Sequence, residues 1–370
     1  MDSGPRPSGD PGMTSWVVGI LLAASLAAAG TVGIAGERTE SLVFGRPRAE
    51  ATEADRKIFA DGLKQFSRTW DEHDGVGARF NEHSCLGCHS MPAAGGSGTA
   101  PNVFVVMSND SADSGGGHVF QRMQRTADGI TELTPPSGSS RRKPPPLFGL
   151  GLLDGVSLKQ PSGPAPGPDN IIGRVGGTAA EAGRFGWKAR VPDVETFVAG
   201  AFAHELGLDR KPDGQTYPDI AIEEIAAFVR LLGPPPRQHE ADVSTKAGER
   251  IFGEAGCAQC HTPSLKLAPE AAAELGEEPE IRAYTDLLLH DMGPGLADGI
   301  AEGRAGPADF RTPPLWGVAA SGPPYLHDGR AQNLPEAIGL HDGEARNARL
   351  RWEKLSPADR EALISYLKSL

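Results

Sequence analysis

Aromatic side chains are scarce in this chain: Phe, Trp and Tyr make up 6% of 370 residues, too few for a dense aromatic interior at that length. Something other than aromatic side chains must help to fill it. Basic charge is also in short supply, with 36 Lys and Arg against 48 Asp and Glu and a formal net charge of -12. That balance argues against a phosphate-binding surface, so nucleic acid is not an expected partner. Cysteine is rarer still, at four residues, which excludes a small disulfide-stapled scaffold. Glycine (48) and proline (32) are plentiful, so long stretches should run as loops, while a hydrophobic share of 39% still supplies a core for two or three domains.

All four cysteines fall in two C-x-x-C-H strings, Cys85, Cys88, His89 and Cys257, Cys260, His261. The pattern reads as two sites for covalently bound haem c. Two thiols on one helical turn add to the porphyrin vinyl groups, and the adjoining imidazole reaches the iron from one face. The competing readings are a zinc site built from both cysteine pairs and a thioredoxin-like dithiol, neither of which accounts for a His directly after each second cysteine. Residues 16–36 (WVVGILLAASLAAAGTVGIAG) carry no charge, follow a polar leader and precede Glu37 and Arg38. That is the layout of an export signal or a retained membrane anchor over residues 1–36, and it places the protein in the periplasm or on the outer face of the cytoplasmic membrane.

The remainder reads as a mainly α fold of two tandem cytochrome c-type modules with long loop insertions, residues 37–235 and 236–370, divided at the GPPP string of residues 233–236. Thr52 with Asp55 forms a capping box, and Phe59, Leu63, Phe66 and Trp70 then recur at helical spacing. Gly62 and Phe66 stand four apart, as do Gly248 and Phe252 before the second haem string. A Gly at that place lets the first helix of a module cross the last one closely. The last helices are expected over 219–232, from Asp219, and over 356–370, from Ser356 with Pro357 at the first helical position; Phe228 and Leu232 of one correspond to Tyr366 and Leu370 of the other. The Pro-rich strings at 134–146 and 161–168 are expected to be surface loops within the first module, and Glu270 to Glu280 a solvated stretch.

Over residues 50–370 the sequence resembles the di-haem oxidoreductase family, bacterial relatives of the di-haem cytochrome c peroxidases. The strings that carry the likeness are GVGARFNEHSCLGCHSMPAAGG, PPPLFGLGLLDG, GRFGWKA, YTDLLLHDMGPGL and RTPPLWGVAASGPPYLHDGRAQNLPEAI. The resemblance implies two c-type haem domains, with the C-terminal haem passing electrons to a reactive N-terminal one. It also implies an electron-donor protein, such as a small cytochrome or cupredoxin, and peroxide or another small oxidant as substrate. In the relatives a Met follows the His of the PYLHDG segment by fourteen residues and ligates the C-terminal haem; here that place, counted from His327, is held by His341. The resemblance therefore implies bis-histidine ligation by His261 and His341, with a lower potential than His/Met gives.

By the same resemblance Glu205 in AHELGL stands at the acid/base position beside the N-terminal haem, where His89 is the near ligand and the far side has no equally firm candidate. His204 stands where an Asn is expected, as a second base, an occasional ligand or a helix-surface residue, and Phe197 replaces a Gln near the open face. Trp187 in GRFGWKAR matches a tryptophan lying between the haems that can pass an electron. Met107 and His118 are minor candidates for covering the open site, whereas Trp316, His73 and His290 read as structural. The departures at 204 and 197 keep open a di-haem electron-transfer cytochrome without peroxidase activity, and a third reading has a protein side chain as substrate.

Overall fold

Thr52 starts the first helix as the sequence suggests: its hydroxyl accepts from the Asp55 amide at 3.1 Å, and the Asp55 carboxylate accepts in return from the Thr52 amide at 2.9 Å. The structure, a computed structural model, describes Met1 and residues 44–100, 103–109, 116–163, 169–208, 219–276 and 280–370. Residues 2–36 of the expected export segment and residues 37–43 of the expected first module lie outside the described residues. No helix among the described residues is long and apolar enough to cross a membrane.

Ten helices are described: α1 (Glu53–Ser67), α2 (Cys85–Cys88), α3 (Leu150–Asp154), α4 (Val194–His204), α5 (Asp219–Leu231), α6 (Val243–Glu254), α7 (Pro269–Leu275), α8 (Leu334–Gly339), α9 (Arg346–Lys354) and α10 (Pro357–Ser369). Strands are short and form small two- and three-stranded sheets, all antiparallel, such as Val105–Ser108 between His118–Phe120 and Ser140–Arg142, or Leu289–Asp291 with Asp309–Arg311. The unit Leu42–Leu370 contains two helical cores.

Each core is built on one crossing of two helices, and each crossing depends on one glycine. A Cβ on Gly62 of α1 would lie 2.2 Å from the Glu224 carbonyl oxygen of α5. One on Gly248 of α6 would lie 2.1 Å from the Ala362 carbonyl oxygen of α10. Without those side chains the backbones touch, and the flanking aromatics close over the contact. Phe228 packs on Phe59 and Phe66 with ring centroids at 4.9 and 4.8 Å, and Tyr366 packs on Phe252 at 5.4 Å. Ser356 caps α10 through the Asp359 amide, with Pro357 at its first position.

The Pro-rich string at 134–146 departs from the expectation of a surface loop. Arg142, Lys143 and Pro144 are buried. The reason is that this stretch finds hydrogen-bond partners on both sides. The Pro144 carbonyl accepts from Ser97 Oγ at 2.8 Å and the Gly98 amide at 3.2 Å, and the Lys143 amide donates to the His327 carbonyl at 2.6 Å.

Candidate functional site

The first cysteine pair occupies the single turn α2, whose N-cap Ser84 accepts from the Gly87 amide at 3.0 Å. The His89 amide closes the turn on the Cys85 carbonyl at 3.0 Å. Nδ1 of His89 lies 3.0 Å from the Gly96 carbonyl. A carbonyl can only accept, so the proton sits on Nδ1 and the lone pair is left on Nε2. Burial holds the imidazole below its ordinary range, hence neutral, and pushes both thiols up to about 12.

Glu205 follows the last turn of α4 and comes to the same place. Its carboxylate lies near enough to Cys88 to help raise that thiol, and it accepts from Asn81 Nδ2 at 2.9 Å. The Asn81 amide donates to the Glu205 main-chain carbonyl at 2.6 Å, and Asn81 Oδ1 accepts from the Arg122 amide at 2.9 Å, so Asn81 clamps the residue at both ends. Burial pushes the Glu205 carboxyl up to about 7, against the pull of the Asn81 bond and the Arg122 charge. Asn81 lies within the family-like string before Cys85, but nothing in its spacing pointed to Glu205. His204 is exposed at the end of α4, and Phe197 is half-buried against the first core. Met107 and His118 lie on paired strands of the three-stranded sheet, Met107 buried and His118 half-buried.

The second string forms a 3-10 turn, Cys257–Gln259, with His261 closing on the Cys257 carbonyl at 3.0 Å. His261 repeats the arrangement of His89, its Nδ1 on the Tyr284 carbonyl at 3.0 Å. His341, just past α8, does the same on the Ala337 carbonyl at 2.7 Å. Burial pushes His261 down to about 4, and His341 adds to the effect, which places the two imidazoles close together. Both line a cavity of about 250 Å³, together with Cys257, Cys260, Trp187 and Trp316. Its wall is apolar apart from a few groups and, among the described residues, includes no Asp or Glu, while Lys143, Arg311 and Arg349 contribute cations. His290 is held between Asp286 at 2.9 Å and Glu344 at 2.8 Å. Trp187 donates Nε1 to the Lys143 carbonyl at 2.8 Å.

These features fit a haem. Two thiols on one turn, a neutral imidazole with its Nε2 lone pair free, and an apolar cavity carrying cations but no carboxylate match a flat apolar ring with two carboxylate arms. A zinc site built from both cysteine pairs is not found among the described residues. Among the described residues the potential metal-ligand cluster is Cys260, Asp286 and His290, which does not unite the two cysteine pairs.

The two cysteine-and-histidine sites are of the kind that holds a covalently bound haem. The profile of a family described as di-haem oxidoreductase, putative peroxidase, matches residues 216–370, the C-terminal part of the chain. No curated protein matches the chain. Among solved structures, it is similar to the hydrazine synthase of Kuenenia stuttgartiensis at 15% identity and a TM-score of 0.46, covering 97% of this chain and 100% of that one. A MauG-like protein associated with microbial copper homeostasis is similar at 15% and 0.45, covering 90% and 94%. The diheme peroxidase BthA from Burkholderia thailandensis is similar at 15% and 0.45, covering 89% and 87%.

Proposed function

We propose that this protein is an exported di-haem c-type cytochrome oxidoreductase of the peroxidase kind, with haem c bound through Cys85, Cys88 and His89 and through Cys257, Cys260, His261 and His341. In this reading residues 37–235 and 236–370 each carry one haem, and residues 1–36 direct the chain to the periplasm or anchor it to the outer face of the cytoplasmic membrane. The observation that carries the proposal is an asymmetry. Beside the C-terminal string two neutral imidazoles lie close together, whereas beside the N-terminal string lies a buried carboxyl poised near neutrality.

The haems, when bound, supply the electrons and the iron at which peroxide is reduced. The chain's own residues do the rest. His261 and His341 would together hold the C-terminal haem, which would then serve as a carrier, fed by a small cytochrome or cupredoxin. Trp187, hydrogen-bonded to Lys143 on the wall of that centre, carries the electron onward. Glu205, clamped by Asn81, takes the proton from the near oxygen of peroxide and returns it to the departing one; two electrons and two protons then give two waters. A carboxyl near its midpoint at pH 7 can do both. His204, exposed one residue away, is the place for proton exchange with solvent.

The test is a visible and spin-resonance spectrum of the holoprotein together with its single-turnover reaction with peroxide. A high-spin component and a peroxide reaction are expected. A fully low-spin spectrum with no peroxide reaction would move the assignment to an electron-transfer cytochrome.

A further inference from the structure

We propose that residues 169–172, which belong to the first half of the chain, form a strap that keeps His341 on the iron of the C-terminal haem and so closes that centre to peroxide, with Asp169 and Glu344 as its positioning residues. The inference rests on the haem reading and on His341 as ligand, and goes beyond them by assigning residues that touch neither iron nor thioether.

Three observations carry it. First, one end of the strap is fastened to the second cysteine turn. The Asp169 side chain is 2% exposed and accepts from both Nη atoms of Arg351, from Nη1 at 2.6 Å, and from Gln259 Nε2 at 2.7 Å. Gln259 stands between Cys257 and Cys260, and Arg351 of α9 also reaches the Ala255 carbonyl at 3.2 Å, so one carboxylate gathers α9 and the turn that carries both thiols. Gly256 leaves the room for this, since a Cβ there would lie 2.8 Å from both Arg351 Nη1 and Gln259 Nε2. The Arg351 bond, and after it that of Gln259, holds the Asp169 carboxyl below the usual carboxylate range. Second, the other end is fastened to the loop that carries His341. The Ile172 amide donates to Glu344 Oε2 at 3.1 Å, on the carboxylate that His290 also meets at 2.8 Å. Glu344 lies three residues after His341, in the turn Gly343–Ala345, and a Cβ on Gly343 would lie 2.2 Å from the Asp291 carbonyl oxygen, so the turn is pressed onto the strand Leu289–Asp291. Third, between the two ends Ile171, 2% exposed, lines the cavity, and just beyond them Arg174 and Leu289 exchange main-chain bonds at 3.0 and 2.8 Å.

An imidazole leaves an iron when the loop that carries it moves away. Tying that loop to the framework keeps the ring at a high effective concentration beside the metal, as any short tether does. While the ring is there, peroxide has no vacant place on that iron, and its reaction is confined to the N-terminal centre. Four residues span the strap, at most about 10 Å from the first Cα to the last. They form no helix or strand of their own, so their course is set by the fastening at each end and by Ile171 between them. Losing either end should therefore slacken the other.

The experiment is carbon monoxide binding to the reduced holoprotein, full chain, by stopped flow. Carbon monoxide cannot reach the C-terminal iron until His341 leaves it, so a slow phase reports that departure, while a fast phase belongs to the open N-terminal haem. Asp169→Asn and Glu344→Gln keep the volume but remove the charge at each fastening. Each should speed the slow phase by about 10- to 100-fold, the factor that a hydrogen bond to a charged group is worth, and leave the fast phase unchanged. Arg351→Lys, which cannot grip Asp169 with two nitrogens, should fall between wild type and Asp169→Asn. Because the strap acts as a unit, the double variant Asp169→Asn, Glu344→Gln should be no faster than the faster single one. Two factors that multiply mean separate contacts and overturn the strap, as does a slow phase that neither single variant changes. A chain with two haems and no slow phase overturns His341 as ligand and the strap with it, and a chain that retains no haem after acid-acetone extraction overturns the haem reading itself.

Discussion

Replacing Glu205 by Gln keeps the volume and the bond to Asn81 Nδ2 but removes the ionisation, and the structure gives the size of what is lost. In the fold the carboxyl loses its proton at about 7, against 4.5 for an ordinary Glu. That separation is worth about 3 kcal/mol as an upper bound. Because the folded state holds the proton more tightly, unfolding releases it anywhere between these two values. Wild-type stability should fall as pH climbs from about 4.5 to about 7 and then level off, whereas the Glu205→Gln variant has nothing to release. The variant and the wild type should therefore unfold at similar urea concentrations at about pH 4.5, and the variant should be more stable at about pH 8 by up to about 3 kcal/mol. In the same preparations single-turnover peroxide reduction should slow by about 10²- to 10⁴-fold with haem spectra unchanged. A difference in stability that is the same at both pH values would refute the assignment of the buried ionisation to Glu205.

The other expectations are independent of that one. Changing Cys85 and Cys88 together to Ala should leave one haem per chain after acid-acetone extraction, since the thioether bonds of the second string are untouched. His341→Ala should turn a low-spin signal high-spin, and His341→Met should keep it low-spin while raising the midpoint potential. Gly248→Ala puts a methyl 2.1 Å from the Ala362 carbonyl and should cost about 1–3 kcal/mol, read as a lowered unfolding midpoint, whereas Gly253→Ala, which meets nothing within 4 Å, serves as the control.

The helix crossings were legible because their determinants are local. A capping pair, an apolar repeat and a Gly four residues before a Phe sit within one or two turns, and the crossing follows from them. The CxxCH strings were legible for the same reason. The approach of Asn81 to Glu205 was not, since it joins residues brought together only by the folded chain. Nor was the cationic wall of the second cavity: Lys143 looked like part of a Pro-rich surface loop, and Arg311 counted only as a member of a family-like string. Proline-rich sequence signals irregular backbone, and irregular backbone can be interior wherever its carbonyls find donors, as Pro144 does on Ser97 and Gly98.

The short stretch 143–147 also bears on how far this protein can be treated as interchangeable parts. Leu147 donates to the Gly95 carbonyl and Pro144 accepts from Ser97, both on the loop after His89, while Lys143, Pro145 and Pro146 line the cavity that contains His261. One strip of main chain is thus a party wall. Anyone grafting the C-terminal half onto a different partner at the GPPP string would carry over its ligands and leave behind Lys143, Pro145, Pro146, Ile171 and Trp187, which close its cavity. A chimaera that exchanges the halves must take the strip with it, and an enzyme engineer should place the seam around the wall instead of at the apparent linker.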